Sequence, residues 1–136
     1  MDPFYAAAVR RPLVALLAVA AALSGCGGGL TDEQQVRQTV DAFSKATVAK
    51  DYGTMCNKLL APALVDKVRS AGLPCEVALQ KGLGGVKDPK LTIGQITVNG
   101  DGATADVRTS AAGEAPSRDT LKLSRIGGRW RIASLG

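Results

Sequence analysis

The sequence predicts an α+β domain in which three N-terminal helices pack on a curved four-stranded antiparallel sheet. Two observations carry this. Apolar residues recur at helical spacing from about residue 32 to 83, and β-branched residues punctuated by glycine turns take over from residue 91. A run of helices followed by a run of strands is the pattern of an α+β domain rather than of alternating βαβ units.

The first helix is predicted over about residues 32–50. Thr31-Asp32-Glu33-Gln34 reads as a capping box, with Thr31 as N-cap and Gln34 three residues on. Asp32 and Glu33 suit the positive end of the helix dipole. Val36, Val40, Phe43 and Thr47 then share one face. Asp51 can cap a second helix whose apolar side is Tyr52, Met55, Cys56, Leu59 and Leu60. Pro62 can start a further turn of it, continued by Leu64, Val65 and Val68. Gly72-Leu73-Pro74 breaks the pattern. A third helix from about Cys75 to Leu83 turns Cys75, Ala78 and Leu79 inward and ends at Gly84-Gly85.

Leu91–Val98 reads as the first strand, and Asn99-Gly100-Asp101-Gly102 is a hairpin turn signal. Ala103–Thr109 alternates, with Ala103, Ala105 and Val107 on one side and Thr104, Asp106 and Arg108 on the other. Residues 111–118, with Gly113 and Pro116, read as a looser connection. Thr120–Ile126 is the third strand with Leu121 and Leu123 inward. After Gly127-Gly128 the last strand, Arg129–Leu135, turns Trp130 and Ile132 inward.

The N-terminus is of another kind. Arg10 and Arg11 precede an unbroken run of Leu, Val and Ala from Leu13 to Leu23. A membrane-spanning helix needs roughly 20 residues, so this shorter run fits the h-region of a signal peptide. It ends in Leu23-Ser24-Gly25-Cys26, which resembles the bacterial lipobox at each of its four positions. The resemblance implies that Cys26 receives a diacylglyceryl group and that cleavage falls between Gly25 and Cys26. On this reading residues 1–25 are a lipoprotein signal peptide, 26–30 a lipidated Cys with a glycine tether, and 31–136 the folded domain. The implied partner is membrane lipid, reached through acylated Cys26, on the extracytoplasmic side of the cell membrane. Two or three acyl chains make a durable anchor where one chain does not.

Lipidation also settles the cysteine count. The chain has three cysteines, and an odd number in an exported protein normally leaves one thiol unpaired. With Cys26 acylated, Cys56 and Cys75 remain and are expected to pair in an oxidising compartment. No C-x-x-C spacing suggests a redox pair. With no His and only two further Cys, no metal or other cofactor is expected. Seventeen Lys and Arg less Arg10 and Arg11, against twelve acids less Asp2, leave residues 26–136 with a net charge of +4. That is mildly basic, and no basic cluster interleaved with aromatics points to nucleic acid.

The order of elements resembles the nuclear transport factor 2-like superfamily, the cone-shaped fold shared with ketosteroid isomerases and polyketide cyclases. The residues that carry the resemblance are Ala49-Lys50-Asp51-Tyr52 after the first helix, the Cys56–Leu60 segment, and the closing Gly127-Gly128-Arg129-Trp130-Arg131-Ile132. More narrowly, the chain looks like small actinobacterial-type lipoproteins of this fold with two Cys in the helical half. A cystatin-like domain, one main helix against four strands, is the alternative fold.

In ketosteroid isomerase-like enzymes a pocket carboxylate moves a proton while a Tyr or a neutral acid stabilises the oxyanion. The candidates for those roles are Asp41, Asp51, Asp106, Tyr52 and Tyr5. Tyr5 leaves with the signal. Asp41 follows an inward Val40, Asp51 reads as a cap, Asp106 alternates out of phase with Ala105 and Val107, and Tyr52 reads as packing. No catalytic residue is assigned. Arg108, Lys122, Arg129 and Arg131 are expected on the outward face of the sheet, where they could meet an envelope protein, anionic headgroups or a second copy of the chain. The leading expectation is a non-enzymatic, membrane-tethered binding or scaffold domain. The alternative is a ligand-binding or isomerase/cyclase-like protein using the cone interior. A cavity of roughly 300 Å³ or more with an inward-facing carboxylate or Tyr separates the two.

Overall fold

A computed structural model describes residues 29–136. Cys26 and residues 1–25 lie outside them. The order is α1 (Asp32–Ala49), α2 (Tyr52–Thr54) running into a π-helical turn (Met55–Leu59), α3 (Pro62–Ser70), α4 (Cys75–Leu83), then β1 (Lys90–Asn99), β2 (Gly102–Ala111), β3 (Glu114–Ile126) and β4 (Arg129–Ser134). The four strands form an antiparallel meander in the order β1-β2-β3-β4.

The N-terminus of α1 is closed by the capping box. The Thr31 hydroxyl accepts from the Gln34 amide at 3.2 Å and the Gln34 side chain accepts from the Thr31 amide at 2.9 Å. The helix ends one residue earlier than the spacing predicts, because Lys50 takes a left-handed conformation (φ 55°) and returns its amide to Ala46 and Thr47. Its buried face is Val36, Val40, Phe43 and Ala46.

The second helical stretch is not continuous. Leu60 and Ala61 are extended: Leu60 makes a parallel bridge to Ile132, and the Ala61 amide donates to the Ile132 carbonyl at 2.7 Å. Proline disfavours helical backbone in the residue before it, so Ala61 is pushed out of the helix and the free edge of β4 takes the segment. The helical half therefore holds four α-helices rather than three. Cys56 and Cys75 are joined, with Sγ atoms 2.06 Å apart, so the bridge ties the π-helical turn to the first residue of α4.

The second departure is in the sheet. Residues 114–118 are not a loose connection but the start of β3, after a tight turn in which Gly113 has φ 80°. Pro116 is tolerated because β4 pairs with β3 only from Lys122 onward, and the β2–β3 register slips between Thr109 and Ala111. On β1 a second irregularity lies between Ile93 and Ile96, and it returns both isoleucines to the inner face opposite Val107 and Ala105. Gly94 sits in that bulge, where a Cβ would come within 3.3 Å of the Asp106 carbonyl oxygen.

The core lies between the inner sheet face and the helices. Ala103, Ala105, Val107, Leu121, Leu123, Trp130 and Ile132 meet α1 and the buried Met55, Leu59, Leu60 and Val65. An arginine lies at the edge of this core. Arg125 lies opposite Trp130 in the β3–β4 register, with its guanidinium carbon 4.9 Å from the Trp130 ring centroid. It donates to the Asp32 carboxylate at 2.8 Å, the Asp101 carboxylate at 3.0 Å and the Gly100 carbonyl at 3.1 Å. One side chain thus joins the start of α1, the β1–β2 turn and the start of β4.

Two stability predictions follow from these ties. Replacing both Cys56 and Cys75 by Ala lowers unfolding stability by about 3 kcal/mol in a urea titration, the chain-entropy value for a loop of this length; an unchanged midpoint contradicts it. Arg125→Ala costs about 2 kcal/mol through lost charge-assisted hydrogen bonds and ring contact, and Arg125→Lys recovers little of it, because an ammonium cannot hold three acceptors and a ring in one plane. Full recovery by Lys shows that charge alone matters.

Candidate functional site

Away from Arg125, at the other end of α1, the inner face of the sheet is incompletely filled. Two adjoining cavities lie there. One, ≈ 230 Å³, is lined by Phe43, Ser44 and Thr47 of α1, by Leu83 and Val86, and by strand residues including Leu91, Thr109, Ala111, Glu114 and Ser117. The other, ≈ 310 Å³, is lined by Phe43, Ala78, Leu79, Leu83, Leu91, Val107, Thr109, Asp119, Leu121 and Leu135. Phe43, Leu83, Leu91 and Thr109 border both, so the two form one crevice between α1, α4 and the sheet. The larger of the two reaches the lower end of the range of small-molecule sites, about 300–1,000 Å³.

The crevice has an apolar body and a polar seam. Phe43 comes from the same helical stripe as Val36 and Val40, while Leu79 and Leu83 come from one side of α4. The Thr47 hydroxyl is spent on the Phe43 carbonyl at 2.8 Å. Across β2 and β3, Thr109 and Ser117 are paired in register and their hydroxyls lie 2.8 Å apart; the Ser117 hydroxyl also donates to Asp119 Oδ2 at 3.2 Å. Thr109, Ser117 and Asp119 therefore form a hydrogen-bonded ladder along one wall. Among the described residues no polar or charged residue is buried; besides this seam, Ser44, Lys90 and Glu114 border the smaller cavity.

Asp119 is an acid of the site that the sequence pattern does not single out. A third strand counted from Thr120 leaves Asp119 just outside its phase. The signal was present, since Asp119 has the same parity as the inward Leu121 and Leu123. The acids that were considered lie elsewhere. Asp41 is exposed on α1. Asp106 is on the outer face and accepts from the Thr120 hydroxyl at 2.9 Å. Asp51 caps α2, and the hydroxyl and amide of Thr54 hold its carboxyl below the usual carboxylate value. The Tyr52 hydroxyl is buried without a hydrogen-bond partner and does not line the crevice. Tyr5 lies outside the described residues.

The four cations expected on the outward face are on that face but do not form one patch. Arg108 lies opposite Arg118, Lys122 opposite Thr104 and Ser134, Arg131 opposite Ser124, and Arg129 opposite Ile126. From the level of Arg118 to that of Ile126 is about 27 Å along β3 at ~3.4 Å per residue. Arg131 is half-buried and donates to the Asn57 carbonyl at 3.1 Å, which ties it to the helical layer. An open hollow of ≈ 680 Å³ on this face is bordered by Arg108, Arg118 and Lys122, with Asp106 among them. Among the described residues no three candidate metal ligands cluster, and no helix is long and apolar enough to cross a membrane.

The fold is that of nuclear transport factor 2-like proteins. An NTF-2-like protein of unknown function from Silicibacter pomeroyi DSS-3 superposes with a TM-score of 0.52 at 18% identity, over 74% of this chain and 89% of that one. A putative dehydratase of the NTF2-like family from Streptomyces avermitilis gives 0.53 at 18% identity, over 74% and 90%. An NTF2-like protein of unknown function from Shewanella baltica OS155 gives 0.54 at 16% identity, over 78% and 94%. No family model and no curated protein matches the sequence.

The Asp51 cap yields a pH prediction. Because hydrogen bonds to Thr54 lower its pKa from 3.8, the stability it contributes is full above that value and is lost as pH falls through the lowered one. Asp51→Ala therefore lowers the thermal midpoint at pH 7, and the gap to the parent closes as the pH drops below 3.8. A gap that persists unchanged into strong acid contradicts the assignment.

Proposed function

We propose that this chain is a lipid-anchored binding protein of the bacterial envelope that holds a small, largely apolar molecule in the crevice at the open end of its cone. The observation that carries the reading is the crevice itself, walled by Phe43, Leu83, Leu91 and Leu121 and crossed by one polar seam. Binding rather than turnover is favoured by the absence of any buried acid or base among the described residues. A general acid or base near neutrality is usually tuned by burial and neighbours. The lipobox at Leu23–Cys26 supports the anchor and the extracytoplasmic address.

Asp119 favours a second reading, an isomerase- or lyase-like enzyme using the same crevice. Its carboxylate faces the wall where a substrate would lie. No second acid or base borders the larger cavity with it, and Lys90 and Glu114 border only the smaller one, so this reading takes second place. The outward cations are spread over the sheet, and the proposal does not place the ligand there.

The test is a titration with 1-aminoanthracene, a small neutral apolar fluorophore. Saturable binding with one site per chain is expected, with a Kd on the order of tens of micromolar or tighter. Leu83→Trp, which fills the shared wall, weakens it at least about tenfold. Absence of saturable binding to the parent protein overturns the cavity reading. The anchor is tested separately by mass spectrometry of the membrane fraction: a diacylglyceryl adduct on an N-terminal Cys26 is expected, and a soluble mature form with a free Cys26 thiol contradicts it.

A further inference from the structure

We infer that the ligand carries a protonated amine or similar cationic donor at one end, and that Asp119 is the residue that selects it. The inference rests on the cavity reading above and specifies the ligand class.

Asp119 lies opposite Val107 on the inner face, in phase with Leu121. It borders the larger cavity beside Phe43, Leu83 and Leu91. Oδ2 accepts from Ser117, whose hydroxyl in turn meets Thr109, so the carboxylate is held in one orientation. Among the described residues Oδ1 accepts no hydrogen bond, and no Lys or Arg nitrogen lies within 4.0 Å of either oxygen. A carboxylate with one oxygen fixed and the other free is a ready acceptor for a charge-assisted hydrogen bond.

The charges around it point the same way. The adjoining cavity is bordered by Lys90 and Glu114, which offset each other. Arg118 and Lys122 have the opposite strand parity; with Arg108 they border the outer hollow that Asp119 also reaches, but none of their nitrogens lies within 4.0 Å of its carboxylate. Residues 26–136 carry +4, so an acid on this apolar wall with no cation paired to it runs against the overall balance. A fatty-acid-like ligand would set its carboxylate against that of Asp119. An alkyl or aryl amine would bury its body between Phe43, Leu83 and Leu91 and place its ammonium on Oδ1. Since Asp119 is exposed to water, the discrimination is modest, about tenfold rather than a thousandfold.

The experiment displaces 1-aminoanthracene from the full domain with decylamine, decan-1-ol and decanoate at pH 7, for the parent protein and Asp119→Asn. That substitution keeps the shape of an exposed side chain, and circular dichroism checks the fold. The parent protein is expected to bind decylamine about tenfold tighter than decan-1-ol, with decanoate weakest. In Asp119→Asn the amine and the alcohol fall within about threefold of each other, the alcohol affinity being unchanged. If amine and alcohol bind the parent equally, or if Asp119→Asn leaves a tenfold preference in place, the selection inference fails while the cavity reading stands. A preference for decanoate overturns the inference as well. If none of the three displaces the fluorophore and the fluorophore itself does not bind, the cavity reading fails and takes the inference with it.

Discussion

Arg125 is the contact on which the arrangement of the domain depends. It occupies an inner-face position on β3 where the neighbouring inner positions, Leu121 and Leu123, are buried leucines. A charge there is tolerated because the guanidinium lies against the Trp130 ring and has three oxygen acceptors, two of them carboxylates. Those acceptors belong to two stretches of chain far apart in sequence, which brings the start of α1 onto the same end of the sheet as the β1–β2 turn. At the opposite end of α1, the corresponding polar tie runs from Lys50 Nζ to the Gly84 carbonyl at 3.0 Å and joins helix to helix. The end that Arg125 closes joins helix to sheet, and the end where the tie runs only from helix to helix holds the crevice. Closure at one pole and space at the other are two results of where the charged contacts fall.

The disulfide acts on the second boundary of that space. Its half-cystines lie in the π-helical turn and at the first residue of α4, both buried. α4 supplies Leu79 and Leu83 to the crevice and has no side-chain cap of its own. Anchoring its first residue covalently therefore holds one wall of the site. In this way a bridge remote from the polar seam positions the apolar side that faces it.

Local signals made much of the fold legible in the sequence. The Thr31–Gln34 box, the spacing of Val36, Val40 and Phe43, the Asn99–Gly102 turn and the Gly127-Gly128 turn each act over four to eight residues, and short-range patterns report such features directly. What was not legible depends on long-range geometry. Leu60 and Ala61 leave the helix because the β4 edge is there to receive them, and nothing within the segment other than Pro62 announces it. Pro116 argued against a strand, yet the missing β4 partner at that level leaves room for it. Arg125 looks like a surface cation until Asp32, more than ninety positions away, is placed beside it. Asp119 precedes Thr120, so its inward phase shows only when β3 is followed from Glu114. The site was therefore less visible than the fold, because its walls come from α1, α4 and three strands that meet only in space.

The central claim is that the domain is closed at the Arg125 pole and carries a ligand-sized apolar space at the other. Crystals of the domain pressurised with xenon test it directly, since dry apolar cavities bind this gas. The account predicts xenon density between Phe43, Leu83 and Leu91, with none beside Trp130 and Arg125. Density at the Arg125 pole, or an empty crevice in crystals that take up xenon elsewhere, would contradict it.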